Sequence, residues 1–258
     1  MSEQNQGKVY LVGAGPGDPE LITVKGQRVL RMADVVLYDR LAPEALLAEC
    51  KPTAEKIYVG KVPKKVMGHR QEQINDLLVS HAKAGKMVVR LKGGDPFIFG
   101  RGGEEALACA ASGIPFELVP GISSITAVPA YAGVPITHRD YNSMFAVFSG
   151  HNDPMTDAEQ VDYEVLARVA TKGTLVILMG MMYLDGIIQR LLQAGLSPDV
   201  LAMTVERGTT EQQRVVEAPV AELAHAVEEA GLGAPATTVI GNVTQLRNQG
   251  MRWWLTDR

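Results

Sequence analysis

The sequence predicts an α/β protein built from two α/β domains, the first with a mostly parallel sheet and the second with a mixed sheet. Short apolar runs alternate with longer amphipathic stretches along the 258 residues. This alternation is typical of parallel strands covered by helices on both faces. The pattern changes after Pro120-Gly121, where two apolar runs further on are close enough to form a hairpin. We therefore predict one domain over residues 1–121 and a second over residues 122–258.

Five apolar runs in the first half have the length and composition of strands. They cover residues 8–12, 34–38, 56–59, 87–91 and 116–119. The amphipathic stretches between them predict helices over residues 19–32, 71–84 and 104–112.

The second half also contains five predicted strands. They cover residues 144–149, 174–179, 201–205, 214–217 and 237–240. The short polar link that contains Gly208 joins the runs 201–205 and 214–217. Since a hairpin is antiparallel, the second sheet is predicted to be mixed.

Composition limits the function classes. The formal net charge of −4 argues against a nucleic-acid-binding protein, which would usually be basic. The two cysteines, Cys50 and Cys109, lack metal-ligand spacing and predict free thiols in a reducing compartment. The polar start has no apolar signal core, and no apolar run approaches the roughly 20 residues that cross a bilayer. We expect a cytoplasmic protein with no membrane partner and no metal.

The first loop, VYLVGAGPGDPE, opens like a dinucleotide-binding motif but departs from it. Gly13 and Gly15 fit the G-x-G-x-x-G pattern, whereas Asp18 replaces the third glycine. Pro16 has no backbone N–H to donate, and Asp18 would repel a phosphate. The loop follows a predicted strand, where open parallel sheets bind ligands. It therefore predicts a ligand site without phosphate, or else a plain strand-to-helix turn.

The stretch VVRLKGGDPFIFGRGGEE, residues 88–105, also follows a strand. Gly93 and Gly94 let a ligand approach the backbone, and Asp95 places a carboxylate beside them. That carboxylate suits a ribose hydroxyl or an amino group, although Asp95 alone equally fits a turn cap. The whole glycine-rich string predicts a functional loop.

These stretches resemble the tetrapyrrole methylase family. The strings VGAGPGDPELIT, YDRL, VGK, RLKGGDPFIFGRGGEE, VPGISS, GVPITHRDY, LMGM and ERGT occur in that order and span about residues 8–248. The resemblance implies two α/β domains with S-adenosylmethionine (SAM) in the cleft between them, and a homodimer. It also implies that the loop with Pro16 borders SAM, which carries no phosphate.

The resemblance implies a set of residues that contact SAM or its demethylated product. They are Pro16, Gly93, Gly94, Asp95, Ile98, Ser123, Ser124, Met179 and Gly208. Apolar walls and backbone amides suit adenine, and hydroxyls suit the methionyl amine and carboxylate. On its residue type alone, Met179 would be a core residue of a strand.

The resemblance implies uroporphyrinogen III, a tetrapyrrole with eight carboxylates, as the second substrate, methylated at carbons 2 and 7 to give precorrin-2. Arg101, His138 and Arg139 are its predicted binding residues, because arginine pairs with carboxylates in a bidentate manner. Each arginine could equally be a solvated surface charge.

Proton handling around the macrocycle is implied for four residues at or near the same sheet edge. They are Asp39, Lys61, Arg101 and Glu104. Asp39 equally fits a helix cap, and Lys61 a surface charge. Two alternatives to the implied function stay open. They are a methylase of a later corrin intermediate and a nucleotide-binding module without chemistry.

Overall fold

The computed structural model describes residues 7–60, 71–155 and 161–254. The chain divides into two compact units, Met1–Ser123 and Ser124–Arg258, each with its own five-stranded sheet. Within the described residues, no helix combines the length and the apolar character needed to cross a lipid bilayer.

The sheet of the first unit is parallel, which confirms the prediction. Its strands are β1 (Lys8–Gly13), β2 (Val35–Tyr38), β3 (Glu55–Tyr58), β4 (Met87–Lys92) and β5 (Phe116–Val119). They lie in the order β3-β2-β4-β1-β5, and every neighbouring pair is parallel. The carboxyl ends of all five strands therefore lie at one edge of the sheet, where ligands bind in open α/β folds.

Within residues 7–60 and 71–123, four helices cover this sheet. They are α1 (Val24–Met32), α2 (Glu44–Ala48), α3 (Gln71–Lys83) and α4 (Gly102–Ala111). Leu11 of β1 packs in one apolar cluster with Leu78 of α3, and Val12 packs in another with Leu30 of α1. Because successive residues of a strand point to opposite faces, α1 and α3 cover opposite faces of the sheet.

The predicted helix over residues 19–32 is interrupted. A 3₁₀ turn, Pro19–Leu21, comes first, and its cap Asp18 accepts the Glu20 N–H at 2.9 Å. Ile22 is extended, and Thr23 then caps α1 by accepting the Gly26 N–H at 3.0 Å. Each capping side chain starts its own helical segment, so the amphipathic pattern continues across a break in the backbone.

The sheet of the second unit is mixed, also as predicted. Its strands are β6 (Phe145–Ser149), β7 (Thr174–Leu178), β8 (Leu201–Glu206), β9 (Arg214–Pro219) and β10 (Ala236–Ile240). Their order is β6-β7-β10-β8-β9, with β6 and β7 parallel and the other pairs antiparallel. The predicted hairpin is confirmed as β8 and β9.

Helices lie on both faces of the second sheet. They are α5 (Ser124–Tyr131), α6 (Tyr163–Lys172), α7 (Leu184–Gln193) and α8 (Val220–Glu229), with 3₁₀ segments at Met181–Tyr183 and Asn242–Gln249. Ile240 packs in the cluster formed with α6, α7 and α8, whereas Val239 packs with Val128 of α5. The helix α5 therefore lies on the face opposite the other three.

Candidate active site

Three loops of the first unit meet where β4, β1 and β5 end. The Gly94 N–H donates to the carbonyl oxygen of Gly15 at 2.7 Å. A Cβ built on Gly121 would lie 2.2 Å from the Gly94 oxygen and 2.6 Å from the Cα of Gly13. Such contacts exclude any side chain at Gly121. This glycine junction, formed by Gly13, Gly94 and Gly121, joins the three loops in which Pro16, Asp95 and Ser123 lie.

Asp95 holds two of these loops together. Its Oδ1 accepts the Phe97 N–H at 2.8 Å within its own turn, and its Oδ2 accepts the Gly121 N–H at 3.0 Å. The carboxylate therefore caps its own turn, which is the alternative role named for it in the sequence analysis. It also bridges to the loop that contains Gly121. Each carboxylate oxygen can accept a further hydrogen bond, so a SAM contact stays a prediction for Asp95.

The loop after Asp95 exposes apolar side chains on a strained backbone. Phe97, Ile98 and Phe99 are 51%, 41% and 47% exposed. Phe99 and Arg101 have φ angles of 50° and 61°, in the left-handed region that non-glycine residues rarely adopt. Strain of this kind clusters at ligand sites. The predicted SAM contact of Ile98 is compatible with its exposure.

Asp39 is anchored by a buried arginine. Its Oδ1 accepts the Leu41 N–H at 3.0 Å, which closes the turn after β2. Its Oδ2 accepts from the Arg90 guanidinium at 2.9 Å, and the Arg90 side chain is only 5% exposed. Leu41 also lies against Gly93, where a Cβ would come within 2.5 Å of the leucine side chain. The structure thus brings Asp39 and Gly93 to one part of the sheet edge.

Behind Asp39 lies a buried charge cluster, which we define as Arg90, Lys92 and Glu105. Glu105 is fully buried, and its Oε1 accepts from Arg90 Nε at 3.1 Å and from Lys92 Nζ at 3.0 Å. Gln71, the first residue of α3, donates to the same oxygen at 3.3 Å. Burial is the main cause that lowers the pKa of Lys92 from 10.5, and Glu105 opposes this effect. Two cations thus share one buried carboxylate.

Our sequence interpretation missed this cluster. Arg90 and Lys92 alternate with apolar residues in VVRLKG, so they lie on one face of β4. A strand with near-continuous apolar neighbours is buried on both faces, and a buried cation needs an acid. Together, these two rules could have predicted a buried carboxylate on a helix that covers the sheet.

Arg101 and Glu104 form an exposed ion pair. The guanidinium contacts the carboxylate through Nε–Oε2 at 2.8 Å and Nη2–Oε1 at 2.9 Å, and the two side chains are 59% and 49% exposed. Their hydrogen bond raises the pKa of Arg101 and lowers the pKa of Glu104. Of the other predicted catalytic residues, Lys61 lies outside the described residues.

In the second unit, Ser124 and Met179 flank one apolar cluster. Ser124 begins α5, and Ile125 beside it packs with Leu178, the last residue of β7. Met179 follows with a φ of 57° and is 49% exposed. The structure therefore contradicts a core role for Met179 and leaves its side chain accessible to a ligand.

Gly208 lies against the same helix. It is buried in the turn after β8, and a Cβ on it would lie 2.4 Å from the Val128 side chain of α5. The flanking residues Arg207 and Thr209 have φ angles of 46° and 69°. Only glycine allows this turn to lie so close to α5. The predicted SAM positions Ser124, Met179 and Gly208 thus all adjoin α5 or residues packed against it.

His138 is held within its own loop. Its backbone N–H donates to Asn142 Oδ1 at 2.8 Å, and its Nδ1 accepts the Asp140 N–H at 3.2 Å. Its ring also packs edge-to-face on Tyr141. Arg139 is exposed beside it. The position of both residues in a structured polar loop is compatible with macrocycle binding, which stays a prediction.

A metal centre is not indicated. Across residues 7–60, 71–155 and 161–254, no group of three or more His, Cys, Asp or Glu side chains could hold a metal ion.

The parallel sheet with its glycine junction and the mixed second sheet define a two-unit α/β protein whose candidate ligand site lies where the parallel strands end. The profile of the Tetrapyrrole (Corrin/Porphyrin) Methylases matches residues 8–224. The chain belongs to this family.

Individual relatives narrow the class. The chain is 49% identical, over 95% of its length and 94% of the relative, to the S-adenosyl-L-methionine-dependent uroporphyrinogen III methyltransferase of Methanosarcina barkeri. It is 47% identical to the siroheme synthase of Acinetobacter baylyi, over 96% of the chain but 53% of the relative. The chain therefore spans about half the length of that second relative.

A solved structure is similar as well. The uroporphyrin-III C-methyltransferase of Thermus thermophilus, crystallised with S-adenosylhomocysteine, superposes with a TM-score of 0.78 at 43% identity. The match covers 93% of this chain and 100% of that one.

Proposed function

We propose that this chain is a SAM-dependent uroporphyrinogen III C-methyltransferase. It methylates carbons 2 and 7, by way of precorrin-1, and releases precorrin-2 and S-adenosylhomocysteine. The observation that supports this most directly is the 49% identity, over 95% of the chain, to a relative named for that activity. The family's methylases of later corrin intermediates and a non-catalytic nucleotide-binding module are the alternatives.

The predicted residues fit SAM in chemical kind. SAM has an amine, a carboxylate, a ribose and an adenine, and it supplies a methyl group activated by a sulfonium. The backbone of Gly93 and Gly94 and the hydroxyls of Ser123 and Ser124 can meet its polar groups. The thioether of Met179 offers an apolar contact. Pro16 cannot donate a backbone N–H, and a ligand without phosphate does not require that donor.

Asp39 is the residue that we assign to proton transfer. Methylation of a pyrrole carbon must be followed by loss of a proton, and a positioned carboxylate can accept it. Arg90 fixes one oxygen of Asp39 at 2.9 Å, while the carboxylate remains 25% exposed. Arg90 thus orients the Asp39 carboxylate, and the exposed part of that carboxylate remains accessible to a substrate. Lys61 and Glu104 are assigned to the same step by the family resemblance alone.

Arg101 and Arg139 bind the carboxylates of the macrocycle. Both are exposed, so they can form charge-assisted, bidentate pairs with an acidic ligand. Arg101 already pairs with Glu104 in this way, at 2.8 Å and 2.9 Å. A carboxylate of the macrocycle would therefore either bind the Arg101 guanidinium together with Glu104 or displace Glu104 from it. His138, held beside Arg139, completes this set.

The test is methyl transfer by the purified protein. With methyl-labelled SAM and uroporphyrinogen III kept reduced, two labels per macrocycle are expected in the product. A later-corrin methylase would leave uroporphyrinogen III unlabelled but would label a corrin intermediate. A non-catalytic module would bind SAM and label neither. The absence of label in uroporphyrinogen III refutes the proposal.

We also propose a homodimer that works in the cytoplasm. The dimer follows from the family resemblance. The compartment is supported by Cys50 and Cys109, which are both buried free thiols.

A further inference from the structure

The turn that carries Gly208 is held in an unfavourable conformation. Arg207 and Thr209 have φ angles of 46° and 69°. Thr209 is β-branched, and a β-branched residue in the left-handed region is a genuine outlier. It is also only 1% exposed. Such a backbone persists only where surrounding contacts fix it. The contacts that this turn makes must therefore maintain its conformation.

The side-chain amide of Gln213 bridges the turn and helix α5. Gln213 Oε1 accepts the Thr209 N–H at 2.8 Å. Gln213 Nε2 donates to the carbonyl oxygen of Tyr131, the last residue of α5, at 3.1 Å. The backbone of Gln213 is itself fixed, because its N–H donates to the Thr210 carbonyl at 3.0 Å.

The same helix connects two predicted SAM positions, Ser124 at its start and Gly208 beside its middle. Ser124 is the first residue of α5, which has eight residues. In its middle, Val128 fills the space where Gly208 would carry a Cβ, at 2.4 Å. The Gln213 amide acts at the far end of the helix. Its two hydrogen bonds therefore hold Gly208 against α5 and, through the backbone of that helix, set its spacing from Ser124.

We propose that Gln213 is a positioning residue for SAM. It holds the ERGT turn (Glu206–Thr209) against α5 and thereby preserves the spacing of Gly208 and Ser124, without contacting SAM itself. This inference rests on the proposed function, because it assumes that the ERGT turn and Ser124 bind SAM.

The experiment compares Gln213→Ala with Gln212→Ala. Gln212 is the exposed neighbour, and the hydrogen bond that it makes, from its backbone N–H to Thr210 Oγ1 at 3.2 Å, survives the change to alanine. Calorimetry with S-adenosylhomocysteine should show affinity about tenfold weaker for Gln213→Ala, since two hydrogen bonds are lost. The control should bind like the wild type. The KM for SAM should rise by a similar factor, while kcat and the KM for uroporphyrinogen III change less than about twofold.

A second variant and a local readout separate positioning from general destabilisation. Gln213→Glu keeps an acceptor for the Thr209 N–H but sets a second acceptor against the Tyr131 carbonyl, so its affinity should also fall below that of the wild type. Hydrogen exchange should accelerate in Gln213→Ala for the amides of residues 207–210, and not in β7 or β10. If Gln213→Ala does not fold, Gln213→Glu carries the test with the same measurements.

Three outcomes are distinguishable. A wild-type protein that binds no S-adenosylhomocysteine overturns the proposed function and this inference together. A wild type that binds, with folded Gln213 variants that bind equally well, overturns only the role of Gln213. A rise in the KM for uroporphyrinogen III without a change for SAM also overturns it.

Discussion

Adjacent glutamates of α4 should differ sharply in their contribution to stability. Glu105 is fully buried, and its Oε1 lies 3.1 Å from Arg90 Nε and 3.0 Å from Lys92 Nζ. Glu105→Gln keeps the shape but leaves both cations, each 5% exposed, with one carboxylate fewer. Removal of one partner of a buried pair costs about 3–5 kcal/mol. Glu104→Gln, which breaks an exposed pair, should cost about 0.2–1 kcal/mol.

The assay is denaturant unfolding of both variants at pH 7, with circular dichroism as the signal. The loss for Glu105→Gln should also shrink as the pH rises. Burial lowers the pKa of Lys92 below 10.5, so between that lowered pKa and about 10.5 the unfolded chain binds a proton that the folded chain releases. Stability therefore rises with pH in this window. Loss of Glu105 lowers the Lys92 pKa further and widens the window toward neutral pH.

Two results would refute this reasoning. Equal losses for the two variants would mean that burial of Glu105 has no energetic consequence. A loss for Glu105→Gln that does not change with pH would mean that Lys92 is not the group left without its acid. Lys92→Met in the Glu105→Gln background is the matched control, because it removes the titrating group and should abolish the pH dependence.

The remaining predictions concern ligands, assembly and acid stability. Asp95→Ala should weaken SAM binding by about 1–3 kcal/mol in calorimetry, and unchanged affinity in the folded variant would contradict this. Arg101→Ala and Arg139→Ala should each raise the KM for uroporphyrinogen III or lower kcat by a factor equivalent to about 1.5–3 kcal/mol, with SAM affinity unchanged. A loss of SAM affinity alone would reassign these arginines to the SAM site. Lysine at either site should restore only part of the loss, because an ammonium lacks the bidentate fork. Light scattering should return about twice the 27.8 kDa of one chain, and a mass near 27.8 kDa would exclude the dimer. Lys25 and Lys8 lower the pKa of Glu117 to about 2, so Glu117→Gln should cost about 1 kcal/mol at pH 7. That difference should fade as the pH falls from about 4.5 toward 2, and thermal melts that show no such convergence would contradict it.

Strands could be predicted from the sequence because burial determines their composition. The predicted run 116–119 coincides with β5, and the runs 201–205 and 214–217 lie within β8 and β9. An apolar run of four to eight residues between glycines and polar residues is shorter than most helices and favours a strand. The break at Ile22 was not predictable from periodicity, because it arises from two successive caps, Asp18 and Thr23, each of which starts its own helical segment.

The site was predictable in its loops but not in its internal contacts. Glycines and a carboxylate after a strand indicated the loop at Asp95, yet the spacing could not show that its Oδ2 binds the Gly121 N–H at 3.0 Å. Residues 26 positions apart in the chain meet only once the strand order is known. The strand order also decides that Arg90 of β4 lies beside Asp39 at the end of β2.

The glycine junction makes one part of the sheet edge independent of side-chain identity. The surface of the junction is main chain, so a point mutation cannot change which hydrogen bonds it offers. A substitution would instead disrupt the junction, because a Cβ on Gly121 would lie 2.2 Å from the Gly94 oxygen. Under the proposed function, we expect variation that changes which macrocycle is accepted at neighbouring exposed positions, such as Phe97 and Arg101. A library intended to alter substrate choice should keep the three glycines constant and randomise those neighbours.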